Sequence, residues 1–387
     1  MAFSKRLRED LLSEEDPIFK SLEYLSNIQV VKKNGVRKVI CFCGEEQERT
    51  IIPHMRTDHL DVWSTWKSVF VELRNRKWSY RKIMNAFRAN GELLFSWTVI
   101  EKELRQMEEE GEANLQIWGK AEIAEWEPKG FELERTTVWD FPERGSWAVH
   151  QSDYRGNWPP QLARNLILKY TRRDEIVVDL FVGGGTTLIE AWLTGRKSLG
   201  IDINPFAIKM TKARLDEMAE KAAGSNKFNL NPTLVPIACQ ADSRQCSKVM
   251  SNLGWQPGSV TLVCAHPPYL DALRYTHGVK GDLSRIKSLD EFCSAMRTIA
   301  CEIRPWLKLG GILAVLIGDV RKQSKIVPLG FKLLQEFLSV GYELEEIVIK
   351  TQNRDRSTHL WIGDRRLPFL IAHEYILILS NPTSEGG

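Results

Sequence analysis

From Trp158 onward, short β-branched runs alternate with longer amphipathic segments, and this alternation limits the fold of the 387-residue chain more than any other feature. The strand candidates are EIVVDLF, KSLGIDI, TLVPIAC, SVTLVCA, GILAVLIG, ELEEIVIK and IAHEYILIL. Helices are expected to begin at Thr186, Pro205, Ser243, Leu289 and Pro328. Strands joined through helices run parallel, because the crossover returns the chain to the same end of the sheet, so an α/β doubly wound sheet is expected. The last two strands are separated by the polar, arginine-bearing TQNRDRSTHLWIGDRRLP instead of a helix, so the final strand is expected to be antiparallel.

The preceding sequence reads differently. Residues 1–36 form a charged extension whose one apolar piece, SLEYLSNIQVV, should end as a strand. Residues 37–125 carry a Cys/His cluster followed by helical periodicity in WSTWKSVFVELRNRK, SYRKIMNAFRAN and WTVIEKELRQMEEE, with breaks at Asn90-Gly91 and Gly111. Residues 126–157 are rich in Trp, Pro and Gly and read as ordered loop, leading to a domain over 158–387. No apolar run approaches the roughly 18 residues of a membrane helix, and the charged start lacks the core of a signal peptide, so a cytoplasmic protein is expected. Seven cysteines, widely spaced except for Cys41 and Cys43, point to reduced thiols. A net charge of +3 means that any nucleic-acid footprint must be local.

Two motifs carry chemistry. The first is DLFVGGGTT, running from Asp179 to Thr187, directly after a strand and opening a helix. Gly183 and Gly185 let backbone amides approach a ligand, and the helix N-terminus favours a carboxylate or other anion. The spacing is not G-x-G-x-x-G, which disfavours NAD. Asp202 ends the next strand within GIDINP, where a carboxylate can accept both hydroxyls of a ribose. A tight turn that binds nothing is the plainer alternative.

The second motif is CAHPPY, Cys264 to Tyr269, after the fourth strand. Here His266, Pro267, Pro268 and Tyr269 resemble the Asp/Asn/Ser-Pro-Pro-Tyr motif of S-adenosylmethionine-dependent DNA amino-methyltransferases, which act on adenine N6 or cytosine N4. The lone pair of an exocyclic amine is delocalised into the ring. Acceptors must therefore bond its hydrogens and draw the nitrogen toward tetrahedral geometry before it attacks a methyl sulfonium. Two prolines fix a backbone carbonyl, here that of Pro267, toward the amine, and the tyrosine ring stacks on a base taken out of the helix.

The resemblance spans about residues 135–379. Residues 179–204 are similar to the family's cofactor turn and second strand, YRGNWPPQLARNLILKYT to the helix that closes over the methionine end of the cofactor, and GDLSRI, LKLGGILAVLIGDV and HEYILIL follow in the family's order. The order of the two motifs looks gamma-type, although the wording is closer to beta-type enzymes. The resemblance implies a Rossmann-like seven-strand methyltransferase sheet with a reversed last strand. It implies S-adenosylmethionine held by Asn157, Trp158, Asp179, Phe181, Gly183, Gly185, Thr186, Thr187, Asp202, Ile203 and Asp242, and catalysis by the His266 to Tyr269 motif. Its partners would be double-stranded DNA and, in a restriction-modification or defence setting, a restriction nuclease encoded elsewhere.

His266 departs from the family pattern. Neutral imidazole accepts one hydrogen bond, whereas the protonated ring only donates. A damaged site is the alternative, which keeps open a lapsed DNA-binding regulator beside an RNA amino-methyltransferase, and the target base stays open as well.

In the N-terminal part, Cys41-x-Cys43 followed by His54-x4-His59 satisfies tetrahedral structural zinc; two thiols and two surface histidines with no metal are the bland alternative. The helical unit is expected to be too small for a large core of its own. Helices over 78–89 and 96–109 resemble a helix-turn-helix pair, with Arg74, Arg76, Lys77, Arg81, Lys82 and Arg88 able to meet phosphate or base edges, or simply to form a solvated face. The EEEGE run should face away from DNA. His150, His277, His359 and His373 sit in no ligand spacing and are expected to be structural.

Overall fold

The computed structural model describes residues 28–383 except 34–35, 42, 49–50, 52–53, 56–57, 59, 76–82, 84, 86, 90–91, 96–99, 101–102, 104–122, 152–153, 155, 226–227, 274, 277–278, 323–324 and 353–368. Two compact units are present, Met1–Lys120 and Ala121–Gly387. No helix among the described residues is long and apolar enough to cross a membrane.

In the first unit, β1 (Gln29–Lys33), β2 (Val36–Ile40) and β3 (Glu46–Glu48) form an antiparallel sheet in that order, followed by α1 (Leu60–Asn75). Trp63, Trp66 and Phe70 recur on one face of α1 and are buried with Phe87 and Phe95, their ring centroids 4.7 to 6.3 Å apart and mostly edge-on. This unit therefore has an aromatic core of its own, contrary to the expectation from its size. A second correction concerns the SYRKIMNAFRAN segment. Its end leaves the helix as β4 (Arg88–Ala89), which pairs with β5 (Glu92–Leu93). The intervening Asn90-Gly91, read as a helix break, is equally the strongest short hairpin signal. Of the expected helix pair, Ile83, Asn85, Ile100 and Glu103 are helical. Apart from Phe87, Arg88 and Ala89, the remainder of both segments lies outside the described residues, as do Arg76, Lys77, Arg81, Lys82, the EEEGE run and the side chains of Arg74 and Arg88.

The second unit runs β6 (Val138–Trp139), α2 (Pro160–Tyr170), β7 (Ile176–Asp179), α3 (Thr186–Leu193), β8 (Lys197–Asp202), α4 (Pro205–Ala223), β9 (Ile237–Gln240), α5 (Cys246–Asn252), β10 (Val260–Ala265), α6 (Leu289–Ile303) and β11 (Leu307–Ile317). A hairpin, β12 (Val320–Lys322) and β13 (Lys325–Val327), then leads to α7 (Leu329–Ser339), β14 (Glu343–Thr351) and β15 (His373–Ser380). The sheet order is β6-β14-β15-β11-β10-β7-β8-β9. Strand β15 lies antiparallel between β11 and β14, as expected of a last strand reached without a crossover helix, and the β7 to β11 set is parallel. This is the doubly wound arrangement with one reversed strand that the resemblance implies. Two details differ from expectation. The connecting stretch supplies an eighth strand, β6, too short to show a period. TLVPIAC begins as a 3-10 turn at Pro232–Leu234 capped by Asn231, and the strand starts only after Pro236, which has no N–H to donate.

Period-two alternation sorts the central strands between two cores. Val263, Ala265, Leu313, Val315, Ile317, Leu377 and Leu379 face α6 and α7, whereas Leu262, Cys264, Ile312, Ala314, Leu316, Ile376 and Ile378 face α2. Burial of each large aliphatic side chain contributes about 1.5–3 kcal/mol, so register is strongly fixed. Helix starts are equally local. Asn204 caps α4 through the Phe206 amide with Pro205 in the first turn, and Ser288 caps α6 through the Glu291 amide.

Candidate active site

Strand order reverses direction of growth at β7, which has β8 on one side and β10 on the other. Open α/β sheets leave a crevice beyond the strand ends at such a point. A cleft of about 760 Å³ lies there, and its lining draws on the ends of β7, β8, β9 and β10 together with the segment before α2.

The glycine turn is pinned by backbone bonds from Leu180 N to Cys264 O (3.0 Å) and from Val182 N to Ile201 O (3.0 Å). Gly185, the residue before α3, has φ +85, a left-handed conformation that only glycine adopts without strain, and a side chain on it would strike Thr211. Asp202 accepts from Gly183 N and Asn204 N, both at 2.9 Å, and burial pushes its carboxyl up to about 6. Asp179 accepts from Phe181 N at 2.9 Å and from the Thr187 hydroxyl, and burial pushes it up to about 7.

Asn157 Oδ1 accepts from Gly184 N at 3.0 Å, while Asn157 Nδ2 is buried with no hydrogen-bond partner among the described residues. An orphaned donor in a cleft is costly unless a ligand satisfies it. A Cβ at Gly184 would stand 2.5 Å from that same nitrogen, so the close approach of turn and amide requires glycine.

Of the residues singled out in the sequence, Asn157, Trp158, Asp179, Phe181, Gly183, Thr186, Asp202, Ile203, Asp242, His266 and Pro268 line the cleft together. Gly185, Thr187, Pro267 and Tyr269 are not among the lining residues. Asp242 is bound by Arg244, whose Nε lies 3.0 Å from Oδ1 and whose Nη2 also reaches Gly281 O at 2.9 Å. Sequence reasoning missed Tyr154 and Tyr275, which stack 6.3 Å apart, and Thr276, whose hydroxyl donates to Asp282 at 2.6 Å. Two signals for such residues were in view, since Tyr154 opens the YRGNWPP stretch and Gly281, Asp282 and Leu283 lie in GDLSRI. Asp179, Asp202, Asp242 and Asp282 line the cleft, and although Arg244 offsets Asp242 and burial favours the neutral form of Asp179, the lining suits a ligand with cationic groups.

His266 stacks on Trp158 at 6.0 Å and 13°, and its Nε2 lies 3.0 Å from the Tyr269 hydroxyl. Burial lowers its pKa to about 4, so the ring is neutral at neutral pH. Cys264, on the strand end beside it, is fully buried and its thiol is pushed well up by that burial, which removes it as a nucleophile.

In the first unit, Cys41 Sγ, Cys43 Sγ and a His54 ring nitrogen lie within 4.8 Å of one another, with His54 Nε2 3.2 Å from Cys43 Sγ. Gly44, at φ +96, turns the chain so that Gly44 N donates to Cys41 O at 2.8 Å. His54 Nδ1 lies 2.7 Å from Asp58, the carboxylate partner typical of a metal-binding histidine. His59 lies outside the described residues. Among the other histidines, His150 belongs to a buried network in which it and Trp147 Nε1 meet Glu190 Oε1 at 2.6 and 2.7 Å and Arg164 meets Oε2 at 3.1 Å. His373 Nε2 lies 3.0 Å from the Tyr375 hydroxyl, and His277 and His359 lie outside the described residues.

A family model described as DNA methylase matches residues 23–213, a span that takes in the glycine turn and Asp202 and stops before His266. Among curated proteins, the type II methyltransferase M.MjaII of Methanocaldococcus jannaschii is 33% identical over 97 residues, 24% of this chain and 18% of that protein. The DNA adenine methyltransferase YhdJ of Escherichia coli is 36% identical over 86 residues, 22% of this chain and 29% of that protein. The chain thus spans less than a third of the length of these relatives. Among solved structures, TrmN from Thermus thermophilus aligns over 58% of this chain and 50% of that one, at 16% identity and a TM-score of 0.35. The chain is thus similar to the DNA methylase family over residues 23–213 and, over about a quarter of its length, to DNA methyltransferases, and it carries a doubly wound sheet with one reversed strand.

Proposed function

We propose that this protein transfers a methyl group from S-adenosylmethionine to the exocyclic amine of a base flipped out of double-stranded DNA, cytosine N4 or adenine N6, at a specific site. The observation that carries the reading is that His266 and Pro268 of the His-Pro-Pro-Tyr motif open into the same cleft as the glycine turn and Asp202. Asn157 Nδ2 supplies a donor for the cofactor's carboxylate, Asp202 accepts from its ribose, and the acidic lining suits its ammonium and sulfonium charges. Catalysis is orientation plus polarisation of the amine by His266 and the Pro267 carbonyl, with no covalent intermediate. A restriction-modification setting, with its nuclease encoded elsewhere, fits the type II methyltransferases among the relatives. Sequencing with modified-base detection, on DNA from cells expressing the protein, should return one methylated base in one context. Unmodified DNA, with label transferred instead to structured RNA, would replace DNA by RNA as the substrate.

We also assign structural zinc to Cys41, Cys43 and His54, with His59 as the fourth ligand, in a unit that recognises DNA. Two thiolates and an imidazole oriented by Asp58 fit a tetrahedral thiolate-imidazole site.

The cofactor assignment is tested at Asp202. Asp202→Ala is expected to weaken S-adenosylmethionine binding by about 2 kcal/mol, roughly thirtyfold, because two ribose hydroxyls lose a charged acceptor. The carboxyl titrates near 6 in the free protein, and hydroxyl donors favour its anion. Binding therefore expels a proton, and affinity should rise as pH increases through 6, a slope that Asp202→Asn abolishes. Calorimetry showing equal affinity in Asp202→Ala and the parent would remove the ribose assignment.

A further inference from the structure

We infer that Glu374 is a positioning residue that fixes His266 as the tautomer protonated on Nε2, leaving the Nδ1 lone pair to accept from the target amine. The inference rests on the proposed function and extends it to the reversed strand of the sheet, which the sequence motifs do not include.

Lys350 on β14 and Glu374 on β15 are directly opposite in register, and Lys350 Nζ lies 2.8 Å from Glu374 Oε2. Both side chains are largely buried, and an ammonium at that distance keeps the carboxylate ionised. An ionised carboxylate only accepts hydrogen bonds. Tyr269, whose hydroxyl is 2.6 Å from Glu374 Oε1, must therefore donate its single hydrogen to Glu374. The phenol oxygen then has only lone pairs to offer His266 Nε2 at 3.0 Å, so Nε2 must carry the ring proton. A neutral imidazole has one such proton, which leaves Nδ1 bare.

The geometry holds each link in place. Tyr269 lies against Gly318, where a Cβ would come within 2.8 Å of Tyr269 Cε2 and 3.4 Å of Glu374 Cγ. Trp158 covers one face of the imidazole and fixes the plane of the ring, and within that plane the contact with Tyr269 selects the orientation that presents Nε2. The groups that act on the ring are Tyr269, Glu374, Lys350 and the backbone at Gly156, which raises the pKa as an acceptor of a ring N–H does, so a ring proton drawn to Gly156 instead of Tyr269 is the competing arrangement. No other function in the mechanism accounts for a paired carboxylate buried behind the cleft on β15.

The experiment is ring-nitrogen NMR on the full chain with 15N-labelled histidine, the His266 signals being assigned by their loss in His266→Gln. The expected parent spectrum has a protonated Nε2 and a bare Nδ1. Glu374→Gln gives Tyr269 a partner that both donates and accepts, so the phenol is free to turn and the two tautomers should mix. Turnover in methyl incorporation should then fall at least about tenfold with KM for S-adenosylmethionine unchanged. Tyr269→Phe, which leaves the Lys350–Glu374 pair intact, should cause the same mixing and covers the case in which Glu374→Gln fails to fold. A parent ring protonated on Nδ1, or a tautomer unaltered in both variants, overturns the inference. A fixed Nε2–H tautomer in a parent that methylates no DNA overturns instead the activity on which the role of Glu374 rests.

Discussion

Replacement of His266 by phenylalanine is expected to lower methyl transfer at saturating cofactor and DNA by about a hundredfold, a loss in keeping with removal of one polar group that acts on the reacting centre. Phenylalanine preserves the stack on Trp158 but offers no lone pair to the amine and nothing to the Tyr269 hydroxyl. Cofactor affinity should stay within about a factor of two, since Asn157, Gly183 and Asp202 are untouched. His266→Asn, which restores an acceptor of the kind the family uses, should recover much of the rate. The pH dependence has a definite sign. Burial is the main cause that lowers the pKa of His266 to about 4, Lys350 adds to it, and Glu374 opposes. The His266 limb of the rate profile should therefore be flat from pH 6 to 8 and fall only as pH approaches 4, where the ring loses its acceptor. Stability follows the same group. Its folded pKa lies below the ordinary value of 6.5, so the unfolded chain takes up the proton first and stability declines as pH drops from 6.5 toward 4. Rates measured by label transfer decide the matter: equal turnover in His266→Phe and the parent would make the imidazole mere packing.

How much of this could be read from the sequence depended on whether partners are neighbours in the chain. Asp179, Phe181, Gly183 and Thr186 lie in one turn, and Asp202 and His266 each end a strand whose β-branched run is unmistakable, so contiguous motifs sufficed to place them on one sheet edge. The same contiguity took in Thr187, which holds Asp179, and Gly185, which shapes the turn. Glu374 was hidden because 105 residues separate it from Tyr269, and a glutamate in HEYILIL reads as an edge charge until strand order puts it opposite Lys350. Glu190 was hidden differently. It sits within the apolar helix TTLIEAWL, and only the folded chain reveals that Trp147, His150 and Arg164 converge on it to tie the connecting stretch beneath the glycine turn. The aromatic core of the first unit was legible as helical spacing in α1, but the partners Phe87 and Phe95 flank a hairpin whose first strand period-based reading took for helix.

Removal of zinc is expected to have the largest effect on stability. Protein purified without chelators should carry one zinc per chain, and Cys43→Ser should lose it. Structural zinc contributes on the order of 10 kcal/mol to small zinc domains, and the aromatic core around Trp66 would retain part of the fold here, so the first unit should melt well below the parent instead of failing to form. Cys43 is the informative choice because it is exposed while Cys41 and His54 are buried; serine there costs little packing, and any loss reports the metal. Asp58→Asn should weaken zinc retention by about tenfold to hundredfold without removing a ligand, since it leaves His54 Nδ1 a poorer partner. The second unit has its own sheet and cores, so S-adenosylmethionine binding measured by calorimetry should survive in Cys43→Ser while site-specific DNA binding declines. Zinc absent from the chelator-free parent by elemental analysis would dismiss the site, and Cys41, Cys43 and His54 would then be a cluster of thiols and imidazole around a tight turn.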